Sequence, residues 1–206
     1  MITTVICIVT ILVSIACFSN ENLALRLLHD PYREARKGEY WRMLTSALVH
    51  ADYMHLIFNM LALYSFGRMV EFVFQATYGE RLGSVLYLVM YVATVLVADI
   101  GTFFQHRDNP NFRSVGASGG VSGIIFAAIL FDPWLRMTFF IIPTRGIIFG
   151  IIYLVYSSWA ANKGHDNIDH SAHYVGALFG FFLTALLLPQ RLQEFIFQLL
   201  NQSPYW

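Results

Sequence analysis

Long apolar runs separated by short polar stretches repeat along this chain. A helix needs about 20 mostly apolar residues to cross a bilayer. Runs near 2–19, 53–74, 83–105, 116–131, 145–161 and 171–189 predict six such helices. The fourth is short and glycine-rich, so its hydropathy is weaker than that of its neighbours. The pattern contains no stretch that reads as a soluble domain, a low-complexity segment or an internal repeat.

Residues 20–50 break the rhythm. Asn20, Glu21, Arg26, Asp30, Arg33, Glu34, Arg36, Lys37, Glu39 and Arg42 alternate with Leu25, Leu27, Leu28, Tyr32, Tyr40 and Trp41. That mixture predicts short amphipathic pieces at a membrane surface, with a solvated loop as the plainer alternative. Trp41-Arg42 is expected to anchor at headgroup depth. The tail at 190–206 mixes polar and aromatic residues and is expected to rest on the interface as well.

Composition supports the membrane class. Of 206 residues, 57% are hydrophobic and only 13% are charged, where a soluble domain carries about 25%. The 13 basic and 13 acidic residues cancel, leaving no basic excess for nucleic acid. The first run has no basic n-region and no A-x-A-like cleavage site, so it reads as an uncleaved helix rather than a signal peptide. Cys7 and Cys17 both lie in it, about 15 Å apart along a helix, too far for a disulfide. Basic residues do not settle orientation. The side carrying both termini has Arg68, Arg81, Arg136, Arg145 and Arg191, while the other side has eight, five of them in 20–50. That distribution does not favour cytoplasmic termini.

Two polar residues change the picture. Ser118 sits in Gly116-Ala117-Ser118-Gly119-Gly120-Val121-Ser122-Gly123, at the start of one apolar run, and His173 near the start of another. Such residues are costly in lipid without a use. A nucleophile and its base is the economical use, because a serine hydroxyl is weak until a base takes its proton. The G-x-S-x-G pattern also occurs in the elbow of soluble hydrolases, but that elbow needs a strand and a parallel sheet, for which there is no pattern here. Gly116 and Gly120, Gly119 and Gly123, and Gly176 and Gly180 form G-x-x-x-G pairs, which let helix backbones approach closely. Joining those faces places Ser118 and His173 at one level. Serine at a helix N-terminus also brings free backbone N–H groups to a developing oxyanion. His55 and Asn59 are four apart and share a helical face. They are expected either to complete that oxyanion hole or to glue helices together. His50 is expected to be structural.

Together, Trp41-Arg42, His55-x-x-x-Asn59, Gly116-Ala117-Ser118-Gly119 and Ala172-His173-x-x-Gly176 resemble the rhomboid family of intramembrane serine proteases over residues 38–185. The resemblance implies an all-α polytopic bundle of six transmembrane helices with an interfacial first loop, forming a single domain over 1–206. It implies a Ser118–His173 dyad and an oxyanion hole of His55, Asn59 and the Ser118 N–H. Gly116, Gly119, Gly120, Gly123, Gly176 and Gly180 would pack the helices at the site. It further implies cytoplasmic termini, a water-filled cavity opening to the non-cytoplasmic side, and single-pass membrane proteins as substrates, cut at small residues in or near a helix. A bacterial inner membrane is the expected location, with lipids as surroundings and no metal or organic cofactor. Two departures stand out. Ser122 occupies the place where many members carry an aromatic residue against the catalytic imidazole, so Tyr174 or a ring from a neighbouring helix is expected to orient His173. Asp169, four before His173, either accepts the imidazole N–H or is a solvated aspartate.

Other readings remain on the table. His165, Asp166, Asp169, His170 and His173 cluster in nine residues, a set that suits zinc or a divalent-metal path. A non-catalytic relative that binds transmembrane helices would normally lack the serine or histidine. Asp99, within an apolar run, suits a proton relay or a hydrogen-bonded packing role. Substrate access is expected at the fifth span and at 161–170.

Overall fold

The computed structural model describes residues 1–139, 142–161 and 169–202. A helix stands at each of the six predicted places: α1 (Ile2–Ser19), α5 (Tyr53–Tyr78), α6 (Glu80–His106), α7 (Ser118–Phe131), α8 (Gly146–Ala161) and α9 (His170–Leu187). Among the described residues, α1, α5, α6 and α9 are long and apolar enough to cross a membrane, while α7 and α8 are shorter apolar helices of 14 and 16 residues.

The 20–50 stretch folds as short pieces, each with its own stop and start signal. α2 (Glu21–Leu27) is capped by Asn20, whose side chain accepts from the Leu23 N–H. α3 (Pro31–Lys37) begins with Pro31 after Asp30, which accepts from the Arg33 N–H at 3.0 Å. These are the residue types that satisfy the orphan donors of a helix start. α4 (Arg42–Thr45) runs into a 3₁₀ turn, Ser46–Leu48. The Trp41-Arg42 expectation divides here. Trp41 is exposed. Arg42 is instead only 2% exposed. Its Nη1 donates to the Leu25 and Leu28 carbonyls at 3.0 and 3.1 Å, and its Nε donates to Glu39 at 2.7 Å. The carbonyls ending α2 need donors, so the guanidinium is a brace inside the loop rather than a headgroup contact.

A hairpin absent from the expectation follows α7. β1 (Arg136–Phe139) pairs antiparallel with β2 (Ile142–Arg145), Arg136 opposite Arg145. Pro143 biases the residue before it, Ile142, toward extended backbone.

α7 forms the centre. Nearly every residue from Gly119 to Phe131 is buried, with α5, α6 and α9 packed around it. Its C-terminal end is met by α10 (Pro189–Asn201), where the Gln198 amide donates to the Phe131 carbonyl at 3.3 Å. α10 also presents Leu192, Ile196, Phe197 and Leu200 outward. On the far side, α1 is fixed by a buried acid of α5. The Glu71 carboxylate accepts from the Ile2 and Thr3 N–H groups at 2.7 and 3.0 Å and from the Thr3 hydroxyl at 2.8 Å. A carboxylate at a helix N-terminus meets both its free donors and its positive dipole end.

Candidate active site

Asp52 caps α5, accepting from the His55 N–H at 2.8 Å. This sets the first turn of α5 and with it the His55 ring. That ring lies against Gly116, where a Cβ would meet His55 Cε1 at 2.7 Å. Gly116 has φ +121, a conformation glycine adopts readily and other residues avoid. Its N–H donates to the Ser46 carbonyl at 3.1 Å. The chain then turns through Ala117 into α7, whose first residue is Ser118.

α7 and α9 meet along glycine. A Cβ on Gly176 would overlap the Gly119 carbonyl, and one on Gly180 would overlap Gly123. This close approach carries His173 to Ser118: Nε2 lies 2.6 Å from Oγ. The residues are 55 apart in sequence, and both stand in the first turn of their helices. The glycine expectation needs one correction. Gly116 and Gly120 do not share the α9-facing stripe. Gly116 precedes the helix and abuts His55, while Gly120 packs on Val95 and Tyr91 of α6. The reason is geometric: Gly116 lies before the first turn of α7, and Gly120 meets α6, whereas Gly119 touches both Ala98 of α6 and Ala172 of α9.

Asn59 is 7% exposed and its amide donates to the His55 carbonyl at 2.9 Å. One of its two amide protons is thereby engaged. His50 lies outside α5. Its Nδ1 is 2.9 Å from Ser14 Oγ, and its ring meets His55 edge-on at 4.9 Å. Burial, with a smaller push from His55, drives the His50 pKa down to about 3, as expected of a structural histidine.

Asp169 caps α9. Its Oδ1 accepts from the Ala172 N–H at 2.9 Å and its Oδ2 from the Thr102 hydroxyl at 2.7 Å. Both carboxylate oxygens are thus engaged away from the imidazole. Tyr174 follows His173 directly, and adjacent helical residues diverge. Among the described residues two rings lie against His173: Tyr153 of α8, nearly parallel with centroids 6.3 Å apart and planes at 23°, and His170, edge-on at 5.8 Å. Tyr153 is not distinguished by any sequence motif. The only local signal was a tyrosine and a serine, Ser157, four apart in an apolar helix.

A polar pocket of about 10 Å³, room for a single water, adjoins Ser118 and is lined by Ser46, Asp99, Ser114, Gly116 and Asp169. Asp99 accepts from the Ser46 hydroxyl at 3.0 Å and lies 3.7 Å from His29 Nδ1. His29 also approaches Ser114 Oγ at 3.1 Å and Glu34 at 3.2 Å. Burial alone would lower the His29 pKa. The Glu34 hydrogen bond and the charges of Asp99, Glu34 and Asp169 outweigh burial, so the net shift is upward. Among the described residues, no three His, Cys, Asp or Glu side chains gather as a metal site. His165 and Asp166 of the expected cluster lie outside the described residues.

The apolar helices, with large hydrophobic side chains turned outward, define an integral membrane protein. Comparison with known proteins supplies the rest. The Rhomboid domain family model matches residues 37–190. Rhomboid protease GluP of Bacillus subtilis is 33% identical over 151 residues, covering 73% of this chain and 27% of its own length. RHOMBOID-like protein 12, mitochondrial, of Arabidopsis thaliana is 31% identical over 151 residues, covering 69% of this chain and 45% of its own. Rhomboid protease GlpG of Haemophilus influenzae is 28% identical over 193 residues, covering 88% of each. The chain belongs to the rhomboid family.

Proposed function

We propose that this protein is an intramembrane serine endopeptidase that cleaves single-pass membrane proteins. The contact that carries the proposal is the 2.6 Å separation of Ser118 Oγ and His173 Nε2. Ser118 Oγ attacks the scissile carbonyl while His173 Nε2 takes its proton. The oxyanion is held by the Ser118 N–H, unpaired at the helix start, with His55 and Asn59. His173 then passes the proton to the leaving amine as the C–N bond breaks. Water, for which the pocket beside Ser118 has room, attacks the acyl-serine with His173 as base. No metal or organic cofactor enters these steps.

The same reading gives six crossings in one domain over 1–206, with the 20–50 loop and the 190–206 tail at the interface and lipid around the rest. α7 rises only about 21 Å across a core of about 30 Å. A crossing element this short leaves Ser118 below the membrane surface. Cytoplasmic termini, a bacterial inner membrane and a cavity open to the other side complete the proposal. Substrate would enter past α8 and 161–170, of which residues 162–168 lie outside the described residues. Cross-linking α8 to α5 should then block cleavage, and unchanged cleavage would count against that route.

The decisive experiment incubates purified protein with a generic transmembrane substrate. Ser118→Ala and His173→Ala should each reduce turnover by about a thousandfold or more. A fluorophosphonate should label the wild type and not Ser118→Ala. Full activity in Ser118→Ala together with sensitivity to chelators would overturn the dyad in favour of metal chemistry.

A further inference from the structure

We propose that Tyr153 of α8 is the positioning residue for the His173 imidazole and is tied through its hydroxyl to the turn of α7 that carries Ser118. The proposal rests on the Ser118–His173 reading and adds a third helix to it.

Three observations converge on Tyr153. Its ring lies nearly parallel to His173, 23° between planes at 6.3 Å, within the range of offset stacking. The ring is framed by Phe149 at 5.5 Å and Phe126 at 5.9 Å, which restrict its tilt. Its hydroxyl is 2.5 Å from Ser122 Oγ, and Ser122 Oγ is 2.7 Å from the Ser118 carbonyl. The direction of this chain is fixed by its far end. A carbonyl can only accept, so the one Ser122 proton goes to Ser118 O and Tyr153 donates to Ser122.

This chemistry solves a local problem. A base must present Nε2 to Oγ within a few tenths of an ångström and hold it there. Asp169 accepts from Ala172 and Thr102, and the His170 ring meets the imidazole edge-on, so the stacked face is that of Tyr153. A flat aromatic face limits ring rotation about the Cβ–Cγ bond of His173. Ser122, a small hydroxyl one turn past Ser118, leaves space for that face to come from α8 and also holds its edge. Catalysis thereby depends on α8 remaining seated against α7 and α9.

The test uses the full chain in detergent or nanodiscs with a transmembrane substrate. Tyr153→Leu should lower kcat about tenfold, the worth of one aromatic stack, with KM within about twofold. Tyr153→Phe keeps the face and should stay within about threefold of wild type. Ser122→Phe in the Tyr153→Leu background places a ring in the space vacated and should recover much of the lost kcat. Should Tyr153→Leu not fold, Tyr153→Met takes its place, as a similar-sized unbranched chain. The idea is overturned if Tyr153→Leu keeps wild-type kcat, or if Tyr153→Phe falls as far as Tyr153→Leu. A loss that appears only in KM would overturn it too. Ser118→Ala and His173→Ala are run alongside. If they remain active the dyad itself fails, whereas if they are inactive and Tyr153→Leu is not impaired, only the positioning role fails.

Discussion

Two histidines just outside the long helices carry opposite pH linkages. His50 is depressed to about 3, below its ordinary value of about 6.5. The folded state therefore prefers the neutral ring. That contribution is present above about pH 6.5 and is lost as pH falls toward 3. His29 is shifted upward, so its contribution is full below about pH 6.5 and fades as pH rises through the folded value. Thermal unfolding across pH should show His50→Asn flattening the acid side and His29→Asn flattening the other; the reverse assignment would refute both. Asp169 belongs to the same scale. As the α9 cap it accepts from an amide and a hydroxyl, and asparagine caps nearly as well. Asp169→Asn should change turnover less than about tenfold, whereas a drop of about a thousandfold would show that the carboxylate acts on His173.

Helix positions rest on a few close contacts and caps. A Cβ on Gly180 overlaps Gly123, so α7 and α9 must part to admit one. Gly180→Ala should cost about 1–3 kcal/mol by overpacking and lower kcat by moving His173, about two turns away, off Ser118. Unchanged melting and turnover would mean that the helices are not packed this tightly. Glu71 does the equivalent work for α1. It accepts from two backbone N–H groups and one hydroxyl at the start of that helix. Removing a charged acceptor costs roughly 2–3 kcal/mol. Glu71→Ala should lower the unfolding midpoint in detergent while leaving fluorophosphonate labelling of Ser118 intact, because Glu71 holds the start of α1, whereas α1 meets His50 near its other end, through Ser14. The β1–β2 hairpin belongs to this scale too: four-residue strands in an apolar context carry little periodic signal, and only the pairing of Arg136 with Arg145 reveals them.

Over the whole molecule a buried apolar core is combined with large hydrophobic side chains that also face outward. α1 turns Thr3, Cys7, Thr10, Ser14 and Cys17 inward, while Val5, Ile8, Leu12 and Ile15 face out. Small and polar side chains at helix interfaces with large apolar ones outside suit lipid as the solvent. That preference is written residue by residue along the chain. It explains why helix placement, the short pieces of 20–50 and the glycine-flanked Ser118 and His173 are legible in the sequence. Apolar run length, cap residues and i, i+4 spacing are local quantities that need no knowledge of neighbours. The tertiary structure alone decided that Arg42 braces a loop, that Gly120 faces α6, that Asp169 is a cap, and that the ring stacked on His173 comes from Tyr153. Each of those depends on which side chain, far away in sequence, arrives within a few ångströms, and one-dimensional spacing holds no measure of that distance.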